Sequence, residues 1–282
     1  MDDPPSWTQG ETSSVSPDLV RRCHVNIIEA LRNVARSRPG GRIQEEAGVV
    51  RIASGLHGPE FNPVFITSPR ADLAQVIEAS KSFMASANVS DWRLVAFDAT
   101  ISKVEGPAIS AGLHSGRLMP GMALDPIPVR APPLPDGFRV RRVKDAELWR
   151  TMIRVGNTAF GGGATPDPDR LLPFIDSTAV RGYVGFVEKV PVSTSVGVSH
   201  HGIGGIFFVG TLPEYRGRGY GAAVTWQAAV DARRDGCRTS YLQASEAGYP
   251  VYLRMGYRKI SHCREWLTGT LDEGGPARAS SP

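Results

Sequence analysis

The residues best placed to do chemistry run Thr211-Leu212-Pro213-Glu214-Tyr215-Arg216-Gly217-Arg218-Gly219-Tyr220-Gly221. Glycines at alternate positions let backbone amides turn inward with no Cβ in the way, and a helix starting there adds its free N–H groups and positive dipole end. A pyrophosphate fits such a turn, and Arg216 and Arg218 supply charge complementarity beside it. No protein nucleophile stands out, because no serine has a Gly-x-Ser-x-Gly setting and no cysteine pairs recognisably with a histidine. Glu188, Asp176, His200 and His201 are available as a general base. His200-His201 precedes Gly202 and reads as a solvated hairpin turn, and Glu188-Lys189 reads as an exposed charged pair, so no base is assigned.

The turn needs a strand leading in and a helix leading out. Ile206-Phe207-Phe208-Val209, apolar and bounded by glycines, reads as a buried strand. Ala223, Trp226, Gln227, Ala229, Val230 and Arg233 follow with helical periodicity, which Gly236 stops. Upstream, the pattern predicts a strand at 138–143, a helix over 145–160, a shorter helix over 167–174 and a hairpin from 182–187 and 193–199. Downstream it predicts a strand at 240–244, a short helix over 249–254 and a closing strand from Tyr257.

Earlier in the chain a helix begins at Pro17, with Leu19, Val20, Cys23, Ile27, Ile28, Leu31 and Val34 on one stripe. Strands at 48–53, 63–67 and 92–97, a helix bearing Leu73, Val76, Ile77, Ser80 and Phe83-Met84 on one face, and a short helix closed by 109–113 complete a first half that lacks the glycine turn. A proline-rich bridge resists helix and sheet. The expected division is a disordered leader at 1–17, an N-terminal lobe at 18–125, a linker at 126–136, a second lobe at 137–272 and a flexible tail at 273–282. The mixed α/β order has too few β-α-β crossovers for a doubly wound sheet.

Composition narrows the function classes. A formal charge of only +4, with pI near 9.1, suits an anionic ligand but lacks the basic clustering of a nucleic-acid binder. No apolar run approaches the ~20 residues of a membrane span, and the acidic, proline-bearing start is no signal peptide, so a cytoplasmic protein is expected. Cys23, Cys237 and Cys263 are odd in number and widely spaced, which suggests reduced thiols and no metal site.

Arg216-Gly217-Arg218-Gly219-Tyr220-Gly221 resembles the Arg/Gln-x-x-Gly-x-Gly/Ala turn of the GNAT family of acyl-CoA-dependent N-acyltransferases. Pro213-Glu214-Tyr215 is similar to that family's approach to the turn, and Tyr252-Leu253-Arg254-Met255-Gly256-Tyr257 to its Tyr-x-x-x-Gly-Phe/Tyr block. The close resemblance covers about 203–260, and the fold-level one reaches back to about 138. It implies a GNAT fold, a mixed, mostly antiparallel, splayed sheet flanked by helices, with the first half a degenerate second copy in tandem that walls or shapes the acceptor cleft. It also implies acetyl-CoA or another acyl-CoA as donor, and an amine of a small molecule or peptide as acceptor, with neither nucleic acid nor membrane as partner and a homodimer left open. Val209, Gly210 and Thr211 would bond the pantetheine arm through the backbone, and Arg216, Gly217, Arg218, Gly219, Tyr220, Gly221 and Ala222 would wrap the pyrophosphate. Ser245 falls where the family often has a cofactor-contacting Asn. Tyr252 would lie near the thioester sulfur, where a phenol can donate a proton to the departing thiolate.

Other readings compete. Gly217-x-Gly219-x-x-Ala222 also fits a dinucleotide fingerprint, but Pro213 to Arg216 intervene after the strand. Arg-Gly-Arg-Gly could be an RNA-binding fragment, yet it is single and flanked by regular structure. The turn could cap a helix with no ligand, and Tyr252, Trp149, Trp226 and Trp266 could simply pack. Within the fold, O-acylation, decarboxylation or a non-catalytic acyl-CoA sensor are the alternatives to N-acylation.

Overall fold

The computed structural model describes residues 15–46, 48–68, 72–161 and 168–269, the side chains of 173–176 excepted. The leader and tail expected at the two ends lie outside these residues, but for 15–17. The chain forms two compact units. Among the described residues, the first comprises 28–121 and 261–269, the second 15–27 and 122–260.

This division differs from the expected one in two places. Helix α1 (Pro17–Arg36) contributes its first part to the second unit, not to an N-terminal lobe. There the buried Asn26 amide donates to the carbonyls of Val198 and Ile203, 3.0 Å each, and Arg22 Nη2 donates to His201 O at 2.7 Å. The last strand crosses the other way, and its residues Cys263–Leu267 pair antiparallel with 93–97 of the first unit. Neither exchange leaves a mark in local sequence pattern, because both depend on distant partners.

The first unit is built from β1 (Arg42–Glu46), β2 (Val49–Ala53), β3 (Pro63–Ile66), α2 (Leu73–Ser86), β4 (Arg93–Phe97), α3 (Ile101–Ser110), most of β5 (His114–Leu124) and the later part of β11 (Arg258–Leu267). Its strand order is β1-β2-β3-β4-β11-β5. Val64, Ile66, Leu94, Ala96 and Trp266 pack with Val76, Ile77 and Met84 of α2 in its core. The short helix expected to close within 109–113 spans Ile101–Ser110, with Val104 and Ala108 inward. Gly106 and Pro107 had obscured its period, and the residues after it extend as a strand. β1 was not foreseen because Arg-Ile-Gln-Glu-Glu is an edge strand with almost no apolar face.

The second unit contains β6 (Phe138–Arg142), α4 (Ala146–Ala159), β7 (Val180–Val187), β8 (Val190–His200), β9 (Ile203–Thr211), α5 (Tyr220–Arg234), β10 (Thr239–Gln243) and α6 (Tyr249–Arg254). Strands β6 to β9 are successively antiparallel, β10 joins β9 in parallel, and the end of β5 lies beyond β10. The expected mixed, mostly antiparallel sheet with flanking helices is therefore present. The helix expected over 167–174 is a three-ten segment, Pro168–Asp176. Helices cover β9 closely on both faces. A Cβ at Gly204 would lie 2.4 Å from Ala232 of α5, and one at Gly205 would lie 1.9 Å from the Asn26 side chain. Among the described residues no helix is long and apolar enough to cross a membrane.

Candidate active site

Strands β9 and β10 pair only at Ile203, Gly204 and Gly205 with Thr239, Ser240 and Tyr241. Both continue, but no ladder joins Ile206–Thr211 to Leu242–Gln243, so the sheet opens between them. On its other side β9 remains paired with β8 as far as Thr211. A bulge sets the divergence: Thr194 lies opposite Gly210 and Val196 opposite Phe207, so Phe208 and Val209 together face Ser195. Phe208 takes a left-handed φ of 53°, which costs a non-glycine residue about 1–2 kcal/mol. Its carbonyl accepts from Thr194 Oγ1 at 3.0 Å, and its ring lies against Gly156 of α4 and 5.5 Å from the ring of Phe160.

The opening leads to the glycine turn. After a three-ten turn at Pro213–Tyr215, Gly217 and Gly219 take φ of 74° and 80°, and Gly219 becomes the N-cap of α5 without any side-chain cap. The first turn of α5 carries no acidic residue. Its leading amides and dipole end therefore suit an anion, which is the fit a pyrophosphate requires. The Tyr220 side chain turns away, stacking on Phe138 at 4.5 Å in a core with Val192, Ala223 and Val224, and only its backbone is offered to the turn. Phe138 N donates to Pro135 O at 3.0 Å, and a Cβ at Gly219 would meet the Pro135 ring at 3.6 Å, so the end of the proline-rich bridge braces the turn.

The two arginines behave differently from the phosphate-facing charges expected. The Arg216 guanidinium donates to the carbonyls of Thr211, at 3.1 Å, and Ala159, at 2.8 Å. The guanidinium carbon of Arg218 lies 5.7 Å from the centre of the Tyr215 ring. Ser245 Oγ accepts from Gly248 N at 3.2 Å, so its hydroxyl serves the turn into α6.

Tyr252, only 7% exposed, packs with Leu242 and Ala244 beyond the last β10 pair, with Val209 beyond the bulge, and with Ala228 of α5. Residues from both arms of the opening thus share one cluster with it. Burial raises its pKa to about 12, and a hydrogen bond with Thr225 offsets part of that rise. Thr225 Oγ1 donates to Gly221 O at 2.8 Å, which links the phenol to the start of α5.

Glu188 and His201 occupy hairpin turns with φ of 54° and 47°. His200 stacks edge-on against His201, and the Asp176 side chain lies outside the described residues. Among the described residues no group of three His, Cys, Asp or Glu is arranged to hold a metal, and Cys23, Cys237 and Cys263 are buried without disulfides.

Phe208, Gly156, Thr194, Thr225 and Pro135 escaped the sequence reading. One signal was present: a glycine inside a helix costs about 0.5–1 kcal/mol relative to alanine, so Gly156 implied a close neighbour.

Among its described residues the first unit differs from this arrangement. Its parallel pair, β3 with β4, stays in register through Ile66 and Ala96, and the helix after β3 is capped by Asp72, whose carboxylate accepts from Gln75 N at 3.2 Å. An anion there would meet a carboxylate.

Residues 150–257 match the model of the Acetyltransferase (GNAT) family. Among solved structures, the chain is similar to a GCN5-related N-acetyltransferase from Kribbella flavida, at 19% identity and TM-score 0.67, covering 88% of this chain and 96% of that one. A GCN5-related N-acetyltransferase from Sphaerobacter thermophilus gives 17% and 0.61, covering 92% and 93%. A tandem GNAT protein from the clavulanic acid biosynthesis pathway gives 12% and 0.55, covering 91% and 97%. No curated protein matches by sequence. At these identities the likeness to solved structures is one of fold. Residues 150–257 thus match the GNAT family model, within a fold that GNAT structures share along most of the chain.

Proposed function

We propose that the protein is an acyl-CoA-dependent N-acyltransferase that moves an acetyl group from acetyl-CoA directly to a primary amine of a small molecule or peptide. The observation that carries this reading is the unpaired edge of β9 running from the bulge into an uncapped helix start. It forms one continuous run of backbone groups for a pantetheine arm and a pyrophosphate. Val209, Gly210 and Thr211 would hold the arm, residues 216–222 the pyrophosphate, and Ser245 would contact the cofactor from the end of β10.

Acetyl-CoA supplies an acyl group already activated as a thioester. The amine nitrogen attacks the carbonyl carbon, the C–S bond breaks, the nitrogen loses a proton to water, and the sulfur gains one. Much of the rate then comes from alignment and from backbone donors on the carbonyl oxygen. A phenol with its pKa raised to about 12 stays protonated near neutrality, which suits Tyr252 as donor to sulfur and not as base. The Asp72 cap and closed β3–β4 pair support a first unit that does not take acyl-CoA in this way.

Incubation with acetyl-CoA and a panel of amines, followed by thiol release, tests the proposal. Release that depends on the amine is expected. Release without amine consumption would point to other thioester chemistry, and CoA binding without release to a sensor.

A further inference from the structure

The guanidinium of Arg216 joins two parts of the site that sequence keeps far apart. Its Nε donates to Thr211 O and its Nη2 to Ala159 O. Ala159 ends α4, and its carbonyl is among those a helix leaves without an internal partner. A guanidinium there satisfies that carbonyl and complements the negative end of the helix dipole.

The same helix end is gripped at two further points along the donor path. A Cβ at Gly210 would lie 2.9 Å from the Ala159 Cβ, and the Phe208 ring lies over Gly156. Tyr252 belongs to the α5 side, and Phe208 and Phe160 to the α4 side. A donor bound along the start of α5 leaves the α4 side for the amine.

Of the three grips, the turn is the least supported by protein. Arg216 to Gly219 are exposed, two glycines there carry positive φ, and no side chain caps the helix. An anion held by its amides would fix the backbone from which Arg216 reaches α4.

We propose that Arg216 is a positioning residue through which occupation of the turn orders the end of α4, residues 156–161, before an acceptor is engaged. This rests on the acyl-CoA reading of the turn.

Amide hydrogen exchange of residues 156–161, with and without saturating CoA, tests it. Wild-type exchange should slow about 5-fold or more on CoA addition, a coupling of ordinary size. In Arg216→Met the slowing should fall below about twofold, and Arg139→Met, at an exposed position of β6, should retain it. Arg216→Lys keeps the charge but cannot fork to both carbonyls, so it should lose the slowing too and carries the test should Arg216→Met fail to fold. Equal slowing in wild type and in the Arg216 variants would overturn the proposal, as would no slowing in wild type while calorimetry shows CoA binding. Calorimetry showing no CoA binding to wild type would remove the acyl-CoA reading as well, so the two failures are distinguishable.

Discussion

Phe208 occupies the space that a side chain at Gly156 would need: a Cβ built there comes within 2.1 Å of its ring. The bulge of β9 and the end of α4 therefore specify one another.

Gly156→Ala should force that ring or the bulge to move. An overpacked site of this kind costs about 1–3 kcal/mol, so the unfolding midpoint should drop. If the bulge orients the donor, amine-dependent thiol release should fall in the same variant even at temperatures where it stays folded. Unchanged stability and turnover would show that the contact is not binding on either residue.

Tyr252→Phe removes one hydroxyl from a buried cluster. Turnover should fall about 10–100-fold, the range of a lost general-acid contribution, while the CoA dissociation constant measured by calorimetry changes little. With its pKa near about 12, Tyr252 should impose no alkaline fall in wild-type turnover below about pH 11. Full activity in the phenylalanine variant would assign the proton to another source.

Asn26 donates to two carbonyls of the β8–β9 hairpin while itself fully buried. Asn26→Ala should leave both carbonyls short of a partner and cost about 1–3 kcal/mol in denaturant unfolding. Asn26→Asp should cost more at neutral pH, since it sets a buried carboxylate against two acceptors. An aspartate variant as stable as wild type would refute this account of α1.

Stability should decline at both ends of the pH scale. Burial lowers the half-buried His24 from 6.5 to about 4, so the unfolded chain takes up its proton first and stability is lost as pH falls between those values. Burial raises Cys23 from 9.0 and Tyr252 from 10.0, each to about 12, and raises Tyr183 and Tyr257 as well. The unfolded chain then releases protons first, and stability is lost as pH rises through that range. Melting temperatures across pH should show both limbs, with the acid limb reduced in His24→Gln.

The glycine turn was legible because each part of it is local: three alternate glycines, an apolar strand before and a periodic helix after. Tyr252 was legible only as a member of a six-residue block. The opening between β9 and β10 was legible only through the family resemblance, since Ile206 to Val209 read as an uninterrupted apolar run and nothing in it marks a left-handed Phe208. Arg216 was expected as a charge beside phosphate, but its carbonyl partners are set by where α4 ends. Gly204 and Gly205 looked like the edge of a strand and are instead its closest points of helix packing. In each case the hidden property belongs to a partner distant in sequence.

The two exchanged segments have a consequence for synthesis. Asn26 meets Ile203 across 177 residues, and Arg93 meets Glu265 across 172. A chain leaving the ribosome cannot finish its first unit when residue 121 emerges, because the strand that completes it follows residues 122–260 of the second unit. Residues 28–121 must wait with the edge of β4 open, and contacts of such long range are slow to form. A cut at the proline-rich bridge would accordingly yield two incomplete pieces, each missing a segment carried by the other.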